Sequence, residues 1–206
     1  MVAVGTFTSI AAVGLSIESM LNSRLAAAFA QDNTLFRRRP KAQLVHTEQF
    51  DRSAGATVRI ADGTVSIFCY RIDVNRTMRP PWAQVGAATN RVHIPVDLHF
   101  LLTAWDTDAE AELRLLGFTL LALETTPSLS GPLLHPMGRW EPGESVQLVN
   151  EELLTEDVLR TFETLPTDFR LSVSYAARVV RLDSPLPTGA GDVVTAVAGL
   201  TPEARP

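Results

Sequence analysis

Apolar and polar residues alternate with period two from Arg91 to Trp105, the clearest pattern in the chain. Val92, Ile94, Val96, Leu98, Phe100, Leu102 and Ala104 fall on one face. His93, Pro95, Asp97, His99, Leu101, Thr103 and Trp105 fall on the other. Strict alternation predicts a strand with one core face and one wetter face. Pro95 lacks an N–H, which puts that end of the strand at an edge or a bulge. Thr64 to Asp73, rich in Val, Ile, Phe and Tyr, reads as a second strand. Asp62-Gly63, after the weakly alternating run Ala56 to Ala61, predicts a hairpin into it. Ser145 to Asn150 is a short strand. Arg170 to Leu182 is a long one, with Leu171, Val173, Tyr175, Ala177 and Val179 on one face.

Helical spacing appears in three places. From Thr8 to Ala30, Ile10, Val13, Ile17, Met20, Leu21 and Leu25 recur as an apolar stripe, and a threonine hydroxyl is available as cap. Thr107-Asp108-Ala109-Glu110 reads as a capping box opening a helix whose stripe is Leu113, Leu116, Leu120 and Leu123. Thr155-Glu156-Asp157 starts a short helix to about Leu165, with Val158, Phe162 and Leu165 inward. Leu154 and Leu159 there form a hydrophobic staple. Asn75 to Gly86, with Pro80-Pro81, is an exposed loop, and Ser128 to Gly143 is turn-rich. The order helix, strands, helix, strand, helix, strand predicts an α+β domain, a mostly antiparallel sheet with helices packed on one face. The domain spans residues 6–183. Residues 184–206, rich in Pro, Gly and Ala, read as a flexible tail.

Composition narrows the function more than it defines it. The chain has 206 residues, 46% hydrophobic and 20% charged, with net charge −5. A chain of this length buries roughly 70% of its unfolded surface and needs no disulfide or metal staple. Its single cysteine, Cys69, excludes an internal disulfide and reads as a small buried hydrophobe. The acidic balance argues against nucleic acid as a partner. The apolar N-terminal stretch is interrupted by Ser16, Glu18, Asn22 and Arg24, so no membrane span is expected. No basic residue precedes Arg24, so no cleaved signal is expected either.

The search for chemistry finds little. Asp97 and His99 lie about 7 Å apart at a strand rise of about 3.3 Å per residue and could share an ion. His93 is too far away without help from elsewhere. The competing reading is a polar face of a half-buried sheet, or one packed against another subunit. His46 and His135 read as exposed, and the pair Glu151-Glu152 as surface charge. No nucleophile elbow, phosphate loop or dinucleotide fingerprint occurs. No catalytic residue, cofactor or small-molecule substrate is therefore assigned. Arg37, Arg38 and Arg39 form a basic run, either a solvated loop or a contact with an acidic partner surface.

Four segments, in order, resemble one family. Val65 to Arg79 (VSIFCYRIDVNRTMR) looks like its strand with an aromatic-rich core followed by Asn and Arg. Val96 to Trp105 (VDLHFLLTAW), Glu112 to Gly117 (ELRLLG) and Leu171 to Tyr175 (LSVSY) look like a further strand, a helix and the closing strand. The family is the tail-terminator, or cap, protein of extracellular contractile injection systems of the antifeeding-prophage and Photorhabdus-virulence-cassette type. Cys69 replaces its usual aliphatic residue, and Leu113 stands where the helix often has His.

The resemblance implies a phage tail-terminator-like fold and a structural role without catalysis. It implies a ring of copies of this chain, six-fold, that closes the distal end of the inner tube and anchors the last sheath layer. The partners would be the chain itself, the inner tube protein and the sheath protein. The protein would be cytoplasmic during assembly and then part of the particle. Asn75, Arg76 and Arg79 at the strand-to-loop junction are candidates for inter-subunit or tube contact, and equally for capping local turns. Trp82 is a candidate interface anchor, whereas Trp105 and Trp140 are expected to pack within the domain. The alternatives are a tail-completion or adaptor protein of a phage or prophage tail, and a small metal-dependent enzyme using Asp97 and His99.

Overall fold

The computed structural model describes residues 7–51, 53, 59–78 and 91–187. Its elements are α1 (Ser9–Gln31), β1 (Lys41–Val45), β2 (Thr64–Val74), β3 (Arg91–Trp105), α2 (Ala109–Glu124), β4 (Ser128–Ser130), β5 (Ser145–Glu151), α3 (Thr155–Glu163) and β6 (Ser172–Pro187). The strands form one six-stranded sheet in the order β1-β2-β3-β6-β5-β4. Only β1 and β2 run parallel; the other neighbours are antiparallel. The α+β class and the mostly antiparallel sheet are as the pattern predicts.

The alternation along β3 buries both faces, not one. Val96, Leu98, Phe100, Leu102 and Ala104 join Val13, Ile17, Met20, Leu21 and Leu25 of α1 and Leu115, Leu116 and Leu123 of α2 in the main core. On the opposite face, Leu101 and Trp105 join Val45, Phe50, Ile60, Phe162 and Leu165 in a second core. So α1 and α2 share one face, and the short α3 lies on the other. Trp105 is fully buried, and its Nε1 donates to Ser66 Oγ at 2.8 Å. The rings of Phe50 and Trp105 pack edge to face, and the Arg170 guanidinium lies 5.1 Å from the indole centroid.

Several local expectations need correction. Pro95 is not at an edge, because β3 lies between β2 and β6. Its carbonyl accepts from Asn75 N at 2.9 Å. A residue's N–H and C=O point to the same side of a strand. The N–H that Pro95 lacks would therefore point where β2 has just ended. The sheet carries a bulge beside it, between Val96 and Leu98 against β6.

Asp62-Gly63 does not close the predicted hairpin on the described residues 59–61; residues 54–58 lie outside the description. Gly63 has φ +77°, the left-handed region that glycine occupies without strain. Its N–H donates to Trp105 O and its carbonyl accepts from Lys41 N, so it starts β2 between two neighbours. The strand beside β2 is β1, five residues that the pattern did not reveal. Its open edge is closed by a side chain of α1. The Asn22 amide donates to Ala42 O and accepts from Ala42 N, both at 2.9 Å.

The caps also differ. The Thr8 hydroxyl donates to Met137 O at 2.8 Å and does not cap α1. Asp108, not Thr107, caps α2 by accepting from Glu110 N at 2.9 Å. The buried stripe of α2 is Leu115, Leu116, Thr119, Ala122 and Leu123, with Leu113 57% exposed. Leu154 and Leu159 are exposed, while Phe162 and Leu165 are buried as expected. β6 runs to Pro187, past the boundary expected at 183, and pairs there with Arg91. The proposed tail otherwise lies outside the described residues.

Three outcomes follow for stability. Leu116→Ala should cost about 2–4 kcal/mol by leaving a core cavity. Leu113→Ala should stay within about 0.5 kcal/mol, because that side chain loses little burial. Urea unfolding of both variants checks this, and equal losses would contradict the assigned helix face. Trp105→Phe should cost about 2–3 kcal/mol, from lost ring volume and a weakened partner for Ser66 Oγ. An unchanged urea midpoint would contradict that account.

Candidate functional site

The candidate surface begins where β2 changes register. Cys69 pairs with Phe100 and Arg71 with His99, so Tyr70 is the extra residue of a bulge. A bulge re-aims the side chains beside it. Here it brings both Tyr70 and Arg71 to His99, on the face of β3 that carries Asp97 and Leu101. The His99 side chain is only 4% exposed. Its Nδ1 lies 2.8 Å from Glu151 Oε2 and its Nε2 3.2 Å from Asp73 Oδ2. Arg71 Nε reaches Asp73 Oδ2 at 3.0 Å, and its Nη2 lies 3.5 Å from Glu151 Oε1. Tyr70 and Ser174 hydroxyls both donate to Glu151 Oε2, at 3.2 and 3.3 Å.

These contacts set the ionisation of the cluster. Burial works against charge on Glu151, but the His99 contact, then Tyr70 and Arg71, outweigh it and hold the carboxyl below its ordinary range. Burial, reinforced by the Glu151 charge, pushes the Tyr70 phenol up. Burial likewise raises the thiol of the half-buried Cys69, the opposite of the shift that activates a nucleophilic cysteine.

Asn75 continues the network. Its Nδ2 donates to both Asp97 oxygens, at 3.2 and 3.0 Å, and its Oδ1 accepts from Met78 N at 2.9 Å. Arg178 Nε also reaches Asp97, at 3.4 Å. Asn75 therefore ties the turn to its own sheet. Arg76 is exposed, with no ion-pair partner among the described residues. Arg79 and Trp82 lie outside the described residues. Trp105 packs inside the domain as expected, and Trp140 is half-buried against the core with its Nε1 donating to His135 O at 2.8 Å.

The basic run lies at the other end of the sheet. Arg37 pairs with Asp108 at 2.8 Å, and Arg38 with Asp62 at 3.1 Å and the nearly buried Asp106 at 3.5 Å. These pairs fasten the α1–β1 connection to the start of α2, around a cavity of about 200 Å³. Arg39 is exposed and has no ion-pair partner among the described residues. Asp97 and Asp106 are nine residues apart along β3 and its end. The two candidate groups are thus about 30 Å apart at a strand rise of about 3.3 Å per residue. The fold does not bring them together.

The candidate metal residues do not converge. His93 pairs with Asp183 at 2.5 Å, Asp97 is held by Asn75 and Arg178, and His99 lies between Glu151 and Asp73. Among the described residues no three His, Cys, Asp or Glu are grouped as a metal site requires. Sequence reading missed Glu151, Arg71 and Asp73 as partners of His99, and Ser174 as a partner of Glu151. Glu151 is half-buried in this network, whereas Glu152 is exposed, which corrects the reading of the pair as surface charge. The available signal was the consecutive pair Tyr70-Arg71 in a strand whose other polar residues, Thr64, Ser66 and Asp73, stand singly. No helix among the described residues is long and apolar enough to cross a membrane.

Comparison with known proteins places this architecture. The fold is similar to a sheath/tube terminator of the PVC extracellular contractile injection system in its extended state. The TM-score is 0.53 at 17% identity, over 93% of this chain and 64% of that one. It is also similar to the tube-terminating cap of the anti-feeding prophage, with TM-score 0.51 at 12% identity, over 93% of this chain and 60% of that one. The chain spans less than two thirds of the length of either structure. No curated protein sequence matches it. The Pvc16 N-terminal domain family matches residues 12–196, nearly the whole described fold, and this chain belongs to that family.

Proposed function

We propose that this chain is a structural terminator of a contractile injection particle. In this reading, copies of it form a six-fold ring that closes the distal end of the inner tube and anchors the last sheath layer. The observation that carries the reading is membership of the Pvc16 N-terminal domain family, together with a fold shared with two tube terminators. The role is one of binding and not catalysis. The polar cluster is spent on internal pairs, and the thiol is raised by burial.

Closed rings need a heterologous contact, in which two different patches of one subunit meet. The separation of the two arginine-bearing ends supports such a contact. One end carries Arg76, with Asn75 shaping its turn and Arg79 and Trp82 following in sequence. The other carries Arg37, Arg38 and Arg39. There Arg37 and Arg38 already hold acidic partners, so Arg39 is the residue of the run assigned to an outside partner. Tube and sheath proteins are the other assigned partners. The protein is assigned to the cytoplasm during assembly and to the finished particle afterwards.

Cryo-electron microscopy of particles assembled with and without the protein tests the role. Density for it is expected at one tube end, against the last tube and sheath rings. Complete particles with that end unchanged in its absence would overturn the role. Arg76→Glu should lower cap occupancy about tenfold or more while leaving the urea midpoint unchanged, since an exposed residue contributes little to folding. Full occupancy in that variant would remove Arg76 from the interface.

A further inference from the structure

We propose that His99 is a proton-operated latch that fastens the distal half of β2 to β5. The inference is independent of the terminator role. It rests on hydrogen-bond inventory. An imidazole donates from both nitrogens only when it carries two protons. His99 presents Nδ1 to Glu151 of β5 at 2.8 Å and Nε2 to Asp73 of β2 at 3.2 Å, and both acceptors are carboxylates. With two protons the ring bridges the two strands by two charge-assisted hydrogen bonds.

The same site holds the alternative arrangement. Arg71 Nη2 lies 3.3 Å from Nδ1 and 3.4 Å from Nε2. A guanidinium only donates, so it can bond the ring only through a nitrogen that has lost its proton. On deprotonation Nδ1 keeps its proton for Glu151, Nε2 becomes an acceptor for Arg71, and Asp73 is released from the ring. The ring's own bridge between the two carboxylates is then reduced to one neutral donor, while Arg71 still reaches Asp73 at 3.0 Å and Glu151 at 3.5 Å.

The groups facing His99 are few. β2 supplies Tyr70, Arg71 and Asp73, and β5 supplies Glu151. β6 supplies Ala176 directly across, with Ser174 bonded to Glu151. Asp97, two residues away on β3, is occupied by Asn75 and Arg178. The latch matters where it sits, because β1 pairs with β2 only as far as Phe68. Beyond that point β2 is paired with β3 alone among the described residues, and Ile72 and Val74 are exposed.

The sign is fixed by the two kinds of group. The latch is closed where the ring holds two protons and both carboxylates are ionised. It opens where the ring gives up one of its two protons. It also opens in acid, where Glu151 takes a proton. Because Glu151 titrates below its ordinary value of 4.5, that acid limit is displaced downward.

The test is made on the full chain. Nitrogen-15 NMR of the His99 ring between pH 5.5 and 8 should show two protonated nitrogens at the acid end and one at the other. Over the same range the strand-paired amides of Arg71 to Val74 should exchange about tenfold faster, after correction for intrinsic rates, the change carried by one charge-assisted hydrogen bond. His99→Gln should abolish the step. Asp73→Asn, a substitution at a half-exposed residue, should abolish it without disturbing the core. A ring with a single proton at pH 5.5 would overturn the proposal. So would flat protection of β2 across the range, or the same step in Asp73→Asn.

Discussion

The structure depends on a strand buried on both faces. β3 carries Leu98, Phe100 and Leu102 toward α1 and α2, and Leu101 and Trp105 toward α3 and the turn at Phe50. Among the described residues it is also the only strand that pairs over ten or more positions on both sides, with β2 and with β6. A one-residue slip would move each of these side chains to the wrong face. Register is therefore strongly specified at β3, and the positions of every other element follow from it.

The register carries the polar surface as well. The faces of β3 alternate along its whole length, so the face that buries Leu101 and Trp105 also presents His99 and Asp97 further back. Those two side chains sit beyond the cover of the second core and meet polar partners from β2, β5 and β6. Burying a polar group is tolerable only when its hydrogen bonds are satisfied. The bulge at Tyr70 supplies the partners by turning two consecutive β2 residues to the same side. Asn22 solves the corresponding problem at the sheet edge, where β1 would otherwise leave Ala42 unpaired. Both devices use a few side chains to complete backbone or polar groups that the sheet itself leaves open.

The two arginine-bearing ends differ in how much of their charge the fold itself uses. Arg37 and Arg38 are held by Asp62, Asp106 and Asp108, close to the junction of three elements. The exposed Arg37–Asp108 pair contributes little by itself, while Arg38 reaches the nearly buried Asp106, and together they orient a connection that has no regular structure. Arg39 and Arg76 have no such assignment within the described fold, and clustered or protruding cations of that kind steer association with acidic surfaces. In the proposed terminator role, contacts would be made by residues that the fold itself does not consume.

The sequence alone determined the long elements. β3, α1 and α2 could be placed to within about a residue because period-two and 3.6-residue patterns persist over many positions and average out local exceptions. The family resemblance was also legible, since it rests on linear motifs in those same elements. Short or context-dependent features were not legible. β1 and β4 have five and three residues, too few for periodicity to register, and β1 exists because β2 and Asn22 pair with it. Pro95 signalled an edge or a bulge because its missing N–H is local information; which of the two applies depends on its neighbours, and the sheet has a bulge beside it. The stripe of α2 turned away from Leu113 because the sheet, not the helix, chose which leucines to cover. Glu151 read as surface charge because its partners come from strands up to 81 residues away in the chain, and only tertiary pairing brings them within hydrogen-bond distance.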